Sequence, residues 1–154
     1  GNSNIMIGKH AGGYTSGVAA MTGPVSNIFI GNTAGSEQGT APYYNVGIGH
    51  GCMWIGAGGW YNVAMGYQAM YGANASNNTF GNVALGSRAL RNIGGADGNY
   101  TGYNVAIGQD AGLNVSSGRN NVYIGGFAAD NATTGAESFS NNSLLASLIK
   151  MALK

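Results

Sequence analysis

The side chains best suited to meeting a ligand are aromatic and lie mid-chain: Tyr43, Tyr44, Trp54, Trp60 and Tyr61. Aromatic rings flanked by Asn, Gln and Ser suit sugars, because a ring face stacks on the apolar side of the sugar while the polar rim bonds its hydroxyls. Tyr44, Tyr61 and Tyr103 each directly precede an Asn that opens a repeated motif, so these three rings equally fit a structural ladder. Other chemistries find less to work with. The acids Glu37, Asp97, Asp110, Asp130 and Glu137 are scattered, whereas a glycosidase holds two carboxylates roughly 5–9 Å apart; only stacking or a neighbouring chain would bring a pair together. His10 and His50 occupy different positions of the repeat and lack nearby carboxylate or Cys partners, so no metal site is expected. Cys52 allows no internal disulfide and stands where six other copies have Ala, which fits a small buried apolar residue. There is no G-x-S-x-G element and no phosphate-binding loop. The expectation is a non-enzyme with no cofactor.

What must position the aromatic residues is a unit that occurs seven times. Its copies open at Asn4, Asn27, Asn45, Asn62, Asn82, Asn104 and Asn121, with steps of 23, 18, 17, 20, 22 and 17 residues. Taking Asn as position one, positions two and four are apolar and position five is always Gly: Gly8, Gly31, Gly49, Gly66, Gly86, Gly108 and Gly125. Alternation puts positions two and four on one face of a short strand. The Gly marks a corner, where φ is positive or another backbone passes close. Asn begins the strand after a turn, and stacked corners would align the Asn side chains into a ladder. Position three reads Met6, Phe29, Gly47, Ala64, Ala84, Ala106 and Tyr123. Its small residues in the central copies point to close contact with a second chain.

A unit this short cannot bury its own apolar face, so copies must stack. The fold expected is all-β: an elongated β-solenoid of seven rungs over residues 1–130, with variable Gly-, Ser-, Asn- and Tyr-rich loops between rungs. Residues 131–154 form a linker and a short helix, since Ser140–Ser143 offer caps and Leu144, Leu145, Leu148, Ile149 and Ala152 recur at helical spacing. Such a helix is too short to stand alone and calls for its counterparts in symmetry mates. Charged residues make up only 7% and the net charge is +1, with no basic stripe, so nucleic acid is not an expected partner. No run of apolar residues is long enough to insert in a membrane as a helix, and no signal peptide is visible.

Asn104-Val105-Ala106-Ile107-Gly108 and its six relatives resemble two repeat families. One is the N-S-V-A-I-G-like head repeat of trimeric autotransporter adhesins, which builds a left-handed β-roll. The other is the N-x-A-I-G-x-x-A-L repeat of bacteriophage tail fibres and related appendages, often placed ahead of a C-terminal chaperone domain. The resemblance covers residue 4 to about residue 129, and the irregular spacing with aromatic-bearing loops lies closer to the phage fibre. It implies a homotrimer of rolls, or alternatively an interleaved triple β-helix, located in a virion or on a bacterial cell surface. The partner implied is a bacterial cell-surface glycan or outer-membrane protein, met through loop residues such as Tyr43, Trp54, Trp60 and Tyr61. A fragment of a tailspike polysaccharide depolymerase is the enzymatic alternative. Ile107–Gly112 also matches one hexapeptide of the left-handed β-helix acyltransferases, which need several in succession where this chain has one per unit.

Overall fold

The structure, a computed structural model, describes residues 3–13, 26–36, 42–54, 59–72, 79–94, 101–115 and 118–131. The expected C-terminal helix lies outside them. Nine short strands follow in order: β1 (Ile5–Ile7), β2 (Ile28–Ile30), β3 (Val46–Ile48), β4 (Val63–Met65), β5 (Thr79–Phe80), β6 (Val83–Leu85), β7 (Thr101–Gly102), β8 (Val105–Ile107) and β9 (Val122–Ile124). The seven motif strands form one parallel sheet in the order β1-β2-β3-β4-β6-β8-β9. Equivalent residues face each other at every step, as with Val46 opposite Val63 and Val63 opposite Val83. A second wall stacks Tyr43, Trp60, Phe80, Gly102 and Arg119, giving four steps against the six of the main sheet. The chain is a β-solenoid, all-β, with no helix among the described residues.

The recurring Asn residues do what stacking requires of them. In the central rungs the Oδ1 of each accepts from the backbone N–H and the Nδ2 of the Asn below, as between Asn62 and Asn82 at 2.9 and 3.1 Å. The same Nδ2 reaches across the interior to a second-wall carbonyl, Thr79 for Asn62 at 2.9 Å. Asn27 through Asn121 are buried, and this ladder satisfies the amides that burial strips of water. The Gly at position five is obligatory for two reasons. Its φ lies between 120° and 136° in all seven copies, a conformation nearly closed to residues with a Cβ. A Cβ on Gly86 would also lie 2.5 Å from the carbonyl oxygen of Gly108 on the next rung.

After the strand, the backbone turns with positive φ at position seven (Arg88, 58°) and again at position nine (Leu90, 48°). Hydrogen bonds such as Ala89 N–H to Gly86 O and Arg91 N–H to Arg88 O close these as two successive turns. They fold the chain back over the side of the strand that carries position three. That corrects one sequence expectation. From Phe29 to Tyr123, position three is buried within the chain itself rather than presented to a second one, and it fills the interior with position eight (Ala34, Cys52, Ala69, Ala89, Ala111, Ala128). In four of the rungs its size is matched to position nine. Phe29 is paired with Gly35, whereas Gly47, Ala64 and Ala84 are paired with Met53, Met70 and Leu90. A Cβ on Gly35 would lie 2.5 Å from the Phe29 ring, and one on Gly47 would lie 2.9 Å from it. In these four rungs large and small trade places, whereas Ala106 and Gly112 are both small and the Leu90 and Tyr123 side chains of the adjacent rungs reach over Gly112, keeping the interior full.

This trade is testable. Phe29→Ala is expected to cost about 3–5 kcal/mol by leaving a cavity. Adding Gly35→Met rebuilds the arrangement of Ala64 with Met70, so the double variant should recover a substantial part of the loss in urea denaturation. A double variant no more stable than the single one would refute the pairing.

Candidate functional site

From Asn27 onward the residue before each motif Asn, like the turn residues, takes a left-handed conformation: φ is 56° at Tyr44, 59° at Tyr61, 65° at Gly81 and 56° at Tyr103. This aims the tyrosine side chains outward while the Asn turns in. Tyr44 stacks on Tyr61 with ring centroids 5.2 Å apart and planes 7° apart, and Tyr43 lies 6.4 Å from Tyr44. The third expected member of the ladder behaves differently. Gly81 stands between Tyr61 and Tyr103 in this column, and Tyr103 leans over it, within 2.8 Å of where a Gly81 Cβ would be. Phe80 leans over Gly102 in the same way, and the two rings meet edge to face at 5.1 Å.

Trp60 lies between Tyr43 and Phe80 on the second wall, tied by Trp60 N–H to Thr79 O and Gly81 N–H to Trp60 O, both 3.0 Å. Tyr43, Tyr44, Trp60, Tyr61, Phe80 and Tyr103 therefore make one aromatic patch over four rungs, in which Tyr44, Trp60, Tyr61 and Tyr103 are exposed. Of the four residues singled out from sequence, Tyr43, Trp60 and Tyr61 are brought together here. Trp54 belongs to another column. It stacks on Tyr71 at 4.8 Å, and the Arg91 guanidinium covers Tyr71 at 5.1 Å, so Tyr71 is sandwiched. Stacked rings spend faces on one another and show edges to a ligand.

The remaining candidates are placed as follows. His10 is exposed, and His50 stacks on Tyr67 at 5.6 Å as part of a surface row. No group of three His, Cys, Asp or Glu side chains gathers among the described residues. Cys52 is fully buried, donates its S–H to the Ala64 carbonyl at 3.2 Å, and burial pushes its thiol up to about 12. That is the opposite of the low value a reactive thiolate needs. Asp110, one of the scattered acids, is buried and holds Arg88 of the preceding rung at 2.6 Å. The aligned rows explain this, since position seven of consecutive rungs meets face to face. The sequence signal was present in Arg88 and Asp110 sharing position seven one unit apart.

No protein-family model, curated protein or solved structure matches this chain.

Proposed function

We propose that this chain is a structural and host-attachment segment of a homotrimeric bacteriophage tail fibre, contacting a bacterial surface glycan or outer-membrane protein. The observation that carries the reading is the outer face of the seven-stranded sheet. Positions two and four are Val, Ile, Met or Leu on every strand, with no charge among them, and Ile5, Ile7, Met65, Ile107, Val122 and Ile124 are exposed. At ~4.8 Å per strand the face is about 34 Å tall. An unbroken apolar stripe of that length is a surface that a soluble protein normally covers. A surface of the same period matches it along its whole length, and further copies of this chain have that period. Three copies would also present the aromatic patch three times, raising avidity where the geometry allows simultaneous engagement.

Sedimentation tests the assembly, and host adsorption tests the attachment. Mass should equal three chains, and Val63→Glu with Val83→Glu should give monomers that keep their β-type circular dichroism. A wild-type monomer would overturn the trimer. In competition for host cells, Trp60→Ala with Tyr61→Ala should weaken adsorption at least tenfold, and Trp54→Ala should do less. Unchanged adsorption would remove the aromatic patch from the reading. Shortening of host capsule chains on incubation would replace attachment with depolymerisation.

A further inference from the structure

We propose that the gap beside Tyr67, in the row formed by position six of the repeat, is a binding slot for one neutral hexopyranose ring of a glycan. Position six reads Lys9, Asn32, His50, Tyr67, Ser87, Gln109 and Gly126. Consecutive copies lie in successive layers, since the His50 and Tyr67 rings stack 5.6 Å apart with planes 11° apart. His50 takes one face of Tyr67. The other face looks onto Ser87, whose side chain is much shorter than a ring, and Tyr67 is 52% exposed. After Ser87 the row resumes with the exposed Gln109. The gap at Gly81 is closed by Tyr103 leaning over it, whereas Tyr67 keeps nearly parallel to His50 and stays in its own layer.

The rung spacing sets the size of the occupant. Two steps separate Tyr67 from Gln109, about 9.6 Å. A ring touching both neighbours needs about 3.5–4.0 Å on each side, and two stacked rings would need at least about 10.5 Å. One ring fits, and the small excess suits a saturated ring, which is thicker than an aromatic one. Tyr67 then forms one wall, Gln109 the other, and the Ser87 hydroxyl the back.

An ion pair lies along the side of this slot. Arg88 follows Ser87 and Asp110 follows Gln109, and Arg88 Nη2 donates to Asp110 Oδ2 at 2.6 Å. Gln109 Nε2 donates to the same oxygen at 3.4 Å, so the three side chains gather beside the gap. Asp110 is 1% exposed and its Oδ1 has no hydrogen-bond partner. A carboxylate buried in this way is a poor source of stability. What it does achieve is to fix the Arg88 guanidinium, whose side chain is 42% exposed and keeps further N–H donors for a ligand.

The chemistry of the walls selects the sugar. Tyr67 offers a ring face to axial C–H groups, while Ser87, Gln109 and Arg88 offer hydrogen bonds to equatorial hydroxyls. Positions six and seven of these three rungs carry one cation and one anion, Arg88 and Asp110, so the slot has no net charge. A uronic acid would have to compete with Asp110 for Arg88, which favours the neutral sugar. The slot shares no residue with the aromatic patch of the second wall, and it stands whether or not that patch binds host cells.

The test is saturation-transfer NMR on the intact chain with methyl β-D-glucopyranoside, whose ring substituents are all equatorial. Transfer to the sugar C–H protons is expected, and methyl β-D-glucuronide should give at least fivefold less. Ser87→Tyr continues the His50–Tyr67 stack and fills the slot, so it should reduce transfer at least tenfold at unchanged melting temperature. Tyr67→Ala, a truncation of an exposed ring, should do the same and reads the slot independently if Ser87→Tyr lowers the melting temperature. Trp60→Ala with Tyr61→Ala should leave transfer intact, which separates this slot from the patch tested by adsorption. Absent transfer, transfer kept in Tyr67→Ala or in a folded Ser87→Tyr, transfer lost with Trp60 and Tyr61, or equal response to the glucuronide would each overturn the proposal.

Discussion

Gly86→Ala is expected to destroy the rod as a single cooperative unit. The alanine Cβ would sit 2.5 Å from the Gly108 carbonyl oxygen, and the obstacle is backbone held by its own ladder bonds. The φ of 135° adds strain that no rotamer can relieve. Together these should cost about 4 kcal/mol or more, a large share of the total stability of a small domain. Because each rung touches only its neighbours, the damage would separate the rungs above from those below. Thermal melting should show either two transitions or no folded baseline. Gly112→Ala is the comparison. Its φ is 61°, a Cβ there meets the Leu90 side chain at 2.8 Å, and the same position holds Ala129 at φ 53° on the next rung. The Tyr123 ring would be 3.1 Å away, so both obstacles are side chains rather than backbone, and the cost should be about 2 kcal/mol. Equal losses from the two substitutions would mean that backbone clearance does not explain the invariant glycines.

Asn62→Ala is expected to cost about 2–4 kcal/mol, measured as a lowered urea midpoint. Removing the amide leaves the Asn82 N–H without its 2.9 Å acceptor and the Asn82 Nδ2 without its 3.1 Å acceptor, both in a dry interior. Unsatisfied buried groups of this kind cost about 1–3 kcal/mol each. Asn62→Asp separates the roles of the two amide ends. A carboxylate can still accept from Asn82, but its second oxygen would face the acceptors Asn45 Oδ1 and Thr79 O that Asn62 Nδ2 now serves. Burial among acceptors raises the folded-state pKa of that Asp above the ordinary carboxylate value of about 4. Above that value the unfolded chain gives up its proton while the folded chain keeps it, so stability falls as pH rises. Asn62→Asp should therefore be weaker than Asn62→Ala at neutral pH and recover as pH drops toward about 4. A variant indifferent to pH would show that the ladder tolerates charge, contrary to its geometry.

Much of the fold was legible because stacking repeats the same constraint at every rung. An atom that must meet its own equivalent above and below recurs in sequence, so the Asn ladder and the position-five corner could be read from Asn4 to Gly125. Alternation likewise showed that positions two and four share a face. It could not say which face is inside, since in these three-residue strands both faces are largely apolar. Positive φ at positions seven and nine decided that, by turning the chain over position three. Once position three is known to face inward, Gly47 opposite Met53 reads as compensation in volume rather than as a surface pressed by another chain.

The aromatic patch divides in the same way. Its residue types and middle-of-chain location were plain from composition and spacing: Tyr43, Trp60 and Tyr61 do converge. Trp54 and Trp60 are close in sequence yet stand in different columns, because one follows the turn and the other opens the second wall. By itself the sequence determined which atoms must repeat, and hence that the chain is a stack of short parallel strands. Only the tertiary structure decided what faces in and what faces out. That choice depends on the sign of backbone angles at residues such as Arg88, Leu90 and Tyr61, whose side chains carry no mark of a left-handed turn.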